Sequence, residues 1–200
     1  YMQEAVPVGA GAMSAILGLD ASSVKQACDE SGNGEVVAPA NLNAPQQIVI
    51  AGDREAVHRA GEVAKRMGAK RVISLAVSAP FHCALMQPVA DRLAPELRRL
   101  SATDPSIPVV ANVDAEPKRD AQASIDALIQ QIASPVLWEQ VIRRLALDGS
   151  RTYVEVGPGS VLAAGYSTVP LNCRRSSPRI SGSPPRSPTR ARPCSAASAA

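Results

Sequence analysis

The chain has 200 residues, 46% hydrophobic but only 2% aromatic, so any core must be built from Ala, Val, Ile and Leu, and no apolar run approaches the roughly 18–20 residues that span a bilayer. Its net charge of +3 is unevenly placed: residues 167–200 hold six Arg and no acid, and without them 15 basic residues face 18 acidic ones. A mildly acidic body lacks the clustered positive charge that displaces counterions from nucleic acid, which argues against a nucleic-acid surface.

The first residues carry no basic region followed by an apolar stretch, so no secretory signal is read there. Cys28, Cys83, Cys173 and Cys194 show neither metal-ligand spacing nor a disulfide framework. The expectation is a cytoplasmic protein with reduced thiols, no metal and no membrane partner.

In chain order, residues 11–19 read as a strand in which Met13, Ala15, Leu17 and Leu19 alternate. Ser22 and Ser23 can cap a short helix whose Val24, Ala27 and Cys28 share a face, closed by Gly32-Asn33-Gly34. Residues 36–41 and 47–52 are apolar runs parted by Asn43-Ala44-Pro45, a hairpin signal. Asp53 is placed to cap a helix with Val57, Ala60, Ala64 and Met67 at helical spacing and Gly68 as its stop. Residues 71–77 form the last strand of this unit. The order βαββαβ is that of a ferredoxin-like sandwich, and Pro39 fits its edge strand, where a missing donor is tolerated.

Residues 84–100 predict a helix with Leu85, Val89, Leu93, Leu97 and Leu100 as its stripe, and 107–113 a short buried strand. Helices over 124–132 and 135–147 follow, then a strand over 152–156 closed by Gly157-Pro158-Gly159. Strands alternating with helices imply a parallel sheet covered on both faces, of which two strands are only a part. Beyond Gly165, eight Ser, six Pro and six Arg within residues 167–200 leave almost no periodic apolar residues, and disorder is expected there.

Two histidines are present. His58 falls mid-helix among Glu55, Arg59 and Glu62 and is expected to face solvent. His82 lies just past a strand end and before a helix, where catalytic side chains of α/β folds gather. An unperturbed imidazole, titrating at about 6.5, can take a proton from a hydroxyl and return it near neutrality. No Gly-x-Ser-x-Gly elbow accompanies it, Ser160 has the wrong spacing, and Cys83 is too close along the backbone to serve as its nucleophile. Gly157-Pro158-Gly159 reads as a sharp turn rather than a phosphate cradle, and Asn41 and Asn43 flank the hairpin as backbone-bonding or cleft-lining residues.

Five separated segments carry a resemblance. Met2-Gln3-Glu4-Ala5, residues 41–52 (Asn41-Leu42-Asn43-Ala44-Pro45 onward), 78–86 around Phe81-His82-Cys83, Asn112-Val113-Asp114 and 154–162 around Gly157-Pro158-Gly159 occur in the order found in the bacterial malonyl-CoA:acyl-carrier-protein transacylases of type II fatty acid synthesis. Gln46 departs from the Gly that many members have there. The resemblance implies a ferredoxin-like subdomain, residues 11–77, inserted in an α/β-hydrolase-like core. Residues 1–10 would end a core helix, 78–165 would continue the core, and 166–200 would be a disordered tail.

The resemblance further implies malonyl transfer from malonyl-CoA to the phosphopantetheine thiol of acyl carrier protein through a malonyl-serine ester, with no cofactor, in a protein monomeric at full length. His82 matches the catalytic base and Gln131 the residue whose backbone carbonyl orients it; Met2, Val77 and Phe81 match acyl-pocket positions. The family's serine and its malonate-binding arginine precede the position of Tyr1, so upstream sequence is expected and the 200 residues alone are expected to be inactive. The pattern also breaks near Gly165, and the Arg, Pro, Ser and Ala that follow are what GC-rich DNA yields out of frame; a shifted frame is the reading. Two alternatives stand beside this one: an acyltransferase domain of a polyketide synthase, and a non-catalytic ferredoxin-like module, which lacks exposed aromatics for stacking bases.

A partial sheet leaves apolar faces and edges uncovered. The isolated chain should therefore aggregate; a monodisperse monomer in sedimentation velocity with one cooperative melting transition would contradict this.

Overall fold

The computed structural model describes residues 1–156 and 172–175. Helix α1 (Met2–Ala5) ends where Pro7 forces the preceding Val6 into an extended conformation, φ −132° and ψ 126°. The expected helix over residues 1–10 is thus only four residues long.

Strands β1 (Gly11–Leu17), β2 (Val37–Ala44), β3 (Gln47–Asp53) and β4 (Arg71–Ser74) form one antiparallel sheet in the order β2-β3-β1-β4. Helices α2 (Ala21–Asp29) and α3 (Arg54–Arg66) join its strands in the βαββαβ order that periodicity predicts. Pro39 does lie on the edge strand, opposite Ile50. The hairpin turn is Pro45-Gln46, because β2 runs on to pair Ala44 with Gln47; the expected loop one step earlier is displaced.

Both faces of this sheet are covered, which the single alternation read for β1 did not capture. Ile16, Ile48 and Ile50 meet Val24, Ala27, Cys28, Val57, Ala60 and Ala64 of the two helices, all at most 2% exposed. On the opposite face Met13, Val49 and Ala51 meet Ala40 and Cys83, with Phe81 and Leu85 packed against them. Buried apolar residues therefore occupy both parities of β1, with Ile16 on the helix side and Met13 on the other.

Local capping also differs from expectation. Asp20, not Ser22 or Ser23, caps α2: its Oδ1 accepts from the Ser23 amide at 2.8 Å and from Ser22 Oγ at 2.7 Å. Asp53 sits at the N-cap of α3 but makes no cap bond, since its Oδ2 accepts the Val36 amide at 2.7 Å and ties β3 to the start of β2. The expected strand over 71–77 is cut to four residues, with one further backbone bond from Leu75 to Met13 O at 2.9 Å.

The second half holds a 3₁₀ turn at Ala84–Met86, α4 (Gln87–Arg98), β5 (Val109–Val110), β6 (Pro117–Lys118), α5 (Ala121–Gln131), α6 (Trp138–Leu147), β7 (Thr152–Glu155) and β8 (Asn172–Arg175). A second core joins Val6, Ala79, Met86, Val89, Ala90 and Ile132, with Phe81, Leu85 and Leu93 around it. α4 stops before Leu100, which is 59% exposed and so no part of the buried stripe.

The expected buried strand over 107–113 is corrected too. Pro108 lacks a donor, Ile107 is 76% exposed, and only Val109 and Val110 pair, antiparallel to Lys118 and Pro117. α5 begins earlier than expected, at an Asp120 cap whose carboxylate accepts the Ala123 amide at 2.8 Å. α6 begins later, because Val136 is drawn into strand pairing with Asn41. β7 pairs in parallel with β8, Thr152 opposite Asn172 and Glu155 opposite Arg175. Gly157-Pro158-Gly159, Ser160, Cys194 and the rest of the predicted tail and frame shift lie outside the described residues.

Gly52 is a close-approach position: a Cβ there would sit 1.9 Å from Val36 O. In this sequence joined behind the N-terminal portion of a relative, Gly52→Ala should lower stability by about 1–3 kcal/mol or prevent folding, read as the urea midpoint; an unchanged midpoint would contradict the tight β2–β3 contact.

Candidate active site

The loop between β4 and the 3₁₀ turn is pinned on both sides. Ala79 and Pro80 are buried, and Gly11 of β1 lets Pro80 approach, since a Cβ at residue 11 would lie 2.5 Å from the proline ring. Cys83 is 3% exposed, packs on the sheet and donates its Sγ–H to Pro80 O at 3.1 Å. Between these anchors His82 adopts φ 61°, a left-handed conformation uncommon for a residue with a Cβ, and one found where the surroundings over-determine it.

His82 Nδ1 lies 3.0 Å from the backbone O of Gln131. A carbonyl only accepts, so Nδ1 carries the proton and donates it, leaving Nε2 as the basic lone pair. Gln131 can accept because it is the last residue of α5, where helical carbonyls have no intrahelical partner. The two residues matched by the resemblance are brought together although 49 positions separate them.

Segment 131–137 continues this contact outward. The Val136 amide donates to Ala40 O at 2.8 Å, the Leu42 amide donates to Val136 O at 2.9 Å, and the Leu137 amide donates to Asn112 O at 2.8 Å. Sequence reasoning missed these positions. The available signal was Ser134-Pro135, which disfavours helix at the residue before proline and so starts an extended segment.

The residues matched to an acyl pocket are placed unequally. Phe81 is half-buried between the two cores beside His82, whereas Val77 and Met2 are 40% and 41% exposed. Met2 belongs to α1, which packs on the 3₁₀ turn that follows His82. His58 is exposed on α3, as expected. Asn41 meets Val136 through a backbone bridge, and Asn43 has an interaction partner. Among the described residues, no group of three or more His, Cys, Asp or Glu could hold a metal ion, and no helix is long and apolar enough to cross a membrane.

An imidazole held by a backbone carbonyl, on a loop clamped between a four-stranded sheet and a helical layer, can take up and return a proton at Nε2. The sequence model of the Acyl transferase domain family matches residues 1–172, and the chain belongs to that family. Within it, the chain is 52% identical over 162 residues to the malonyl CoA-acyl carrier protein transacylase of Salmonella typhimurium, and 46% identical over 164 residues to that of Bacillus subtilis. These alignments cover 81% and 82% of the chain, and it spans about half the length of the curated relatives it matches, 52% of each of these two.

Among solved structures, an acyl carrier protein S-malonyltransferase from Vibrio cholerae superposes with a TM-score of 0.84 at 45% identity, covering 88% of this chain and 58% of that one. A malonyl-transacylase in complex with its type II polyketide acyl-carrier protein gives 0.85 at 45% identity, covering 88% and 57%. The fold is thus the mixed α/β fold of these acyltransferases.

Cys83 neighbours His82 but, buried, is a poor nucleophile. Burial pushes its thiol pKa up, as burial pushes that of Cys28 up to about 12. Iodoacetamide at neutral pH should label both in the folded chain at least about 100-fold more slowly than after unfolding. Comparable rates in the two states would show Cys83 to be an exposed thiolate.

Proposed function

We propose that this chain carries the base-bearing part of a malonyl-CoA:acyl-carrier-protein transacylase, transferring malonyl from coenzyme A to the phosphopantetheine thiol of acyl carrier protein. The observation that carries the reading is the 3.0 Å contact of His82 Nδ1 with Gln131 O, which leaves Nε2 free to act on a hydroxyl. The relatives named above share that activity by name, and one solved neighbour is held by its carrier protein.

The steps are proton-neutral for the histidine. Nε2 of His82 takes the proton of a serine hydroxyl as its oxygen attacks the thioester carbonyl, and the ring returns that proton to the departing coenzyme A sulfur, leaving a malonyl-serine ester. The carrier thiol then yields its proton to Nε2 and attacks the ester, and the ring reprotonates the serine oxygen. Throughout, Gln131 O keeps the Nδ1 proton in place, the task an aspartate performs in a Ser-His-Asp triad. No Gly-x-Ser-x-Gly elbow occurs among residues 1–200, and in this reading the serine is supplied from outside them.

Phe81, Val77 and Met2 would line the acyl pocket: Phe81 wedged beside the base, and the exposed Val77 and Met2 offering apolar surface to a substrate. The β1–β4 unit would be a ferredoxin-like subdomain, residues 11–77, set into an α/β-hydrolase-like core that resumes at 78. The four-strand order and its two covering helices support this. No cofactor enters these steps, and a cytoplasmic location belongs to the same reading. Nothing in the strands favours a stand-alone binding module over it.

The test joins this sequence behind the serine-bearing portion of the Salmonella relative and measures malonyl transfer to acyl carrier protein. His82→Ala should cost about 10²- to 10⁴-fold in kcat/KM. Gln131→Ala should stay within about fivefold, because a backbone carbonyl does the work. Unchanged transfer by the histidine variant would remove the assignment.

A further inference from the structure

We propose that Val136 and Leu42 are positioning residues for His82: the hydrogen bonds from the Val136 amide to Ala40 O and from the Leu42 amide to Val136 O hold the strap 131–137 so that Gln131 O selects the imidazole tautomer. The relevance to catalysis rests on the function proposed above; the positioning itself does not.

The case begins with what holds Gln131 O. It is the terminal carbonyl of α5, a place where helices fray, and its one local bond is a long one from the Ser134 amide at 3.4 Å. Pro135 offers no donor. The next firm attachments are those of Val136 to β2, at 2.8 and 2.9 Å, and of Leu137 to Asn112 O at 2.8 Å. At the inner end, Ile132 is 6% exposed in the same core as Ala79 and Met86, which flank the histidine loop.

The other side of the clamp converges on the same place. Ala40, whose O takes the Val136 amide, is 0% exposed and packs in the core that contains Cys83, the residue after His82. One short stretch of β2 thus grips the histidine loop through Ala40 packing and the histidine's acceptor through the strap. β2 is the edge strand of its sheet, so its Ala40 carbonyl and Leu42 amide face away from β3 and are open to the strap. This edge therefore sets the distance between the imidazole and its acceptor, and the sheet β1–β4 is built into the geometry of a residue it does not contain.

The test uses this sequence joined behind the serine-bearing portion of the Salmonella relative, with ¹⁵N-histidine confined to this sequence by segmental ligation. Two-bond ¹H–¹⁵N correlation reads the tautomer of His82, with His58 as the exposed internal reference. The unaltered chain should show the Nδ1–H form. Val136→Pro removes one strap bond and Leu42→Pro the other, the latter without taking a donor from the β2–β3 ladder. Each should convert His82 to an averaged mixture of tautomers like that of His58 and raise exchange of the remaining strap amide at least about tenfold. Val136→Ala, which keeps both backbone bonds, should leave the Nδ1–H signature intact.

A folded proline variant with native far-UV circular dichroism and an unaltered Nδ1–H signature would overturn the proposal. Should both proline variants unfold, the unaltered chain still decides: warming should open the Val136 and Leu42 amides and average the His82 tautomers over the same interval. Tautomer averaging independent of those amides would overturn it. The test needs no turnover, so it fails separately from the functional assignment, which the His82→Ala transfer assay addresses.

Discussion

The carbonyl of Gln131 decides which nitrogen of His82 keeps its proton, and much of the described structure serves to hold those two groups 3.0 Å apart. Neither group is rigid by itself. The acceptor ends a helix, and the donor sits on a loop in a left-handed conformation. Each becomes rigid by burial on a neighbour: Ile132 in the helical core, Cys83 and Phe81 against the sheet. The dyad is therefore a product of layer packing, and local propensity alone would not form it.

That dependence explains why both faces of β1–β4 are apolar. An antiparallel sheet commonly turns one face to solvent, but here the second face receives the histidine loop. Small residues make this approach feasible. Ala40 and Ala51 leave room for Cys83, and Gly11 leaves room for Pro80. The scarcity of aromatics in the composition corresponds to a core of close, small contacts rather than a few large anchors.

Much of this was legible beforehand, and the parts that were not share a cause. The βαββαβ order was readable because period-2 and period-3.6 stretches alternate cleanly from Gly11 to Ser74. His82 and Gln131 were paired by resemblance, and the hydrogen bond is seen in the structure. What escaped depended on distant partners. Asp53 has the sequence position of a cap, yet its carboxylate bonds Val36. Val136 has the pattern of a helix start, yet β2 recruits it as strand. Residues 107–113 have the composition of a buried strand, yet Pro108 and the surroundings leave only Val109 and Val110 paired. Local pattern identifies elements; it does not say which donor a given acceptor will find.

The protonated state of Cys83 has a chemical consequence for a site of the proposed kind. Were the substrates thioesters, as the proposed function has them, a nearby thiolate could attack the thioester carbonyl and take the acyl group itself. Burial raises the thiol pKa, and the bond from Sγ to Pro80 O occupies its proton at 3.1 Å. The residue beside His82 is thus held as a buried, protonated thiol, a poor competitor for an acyl group in a site of the proposed kind.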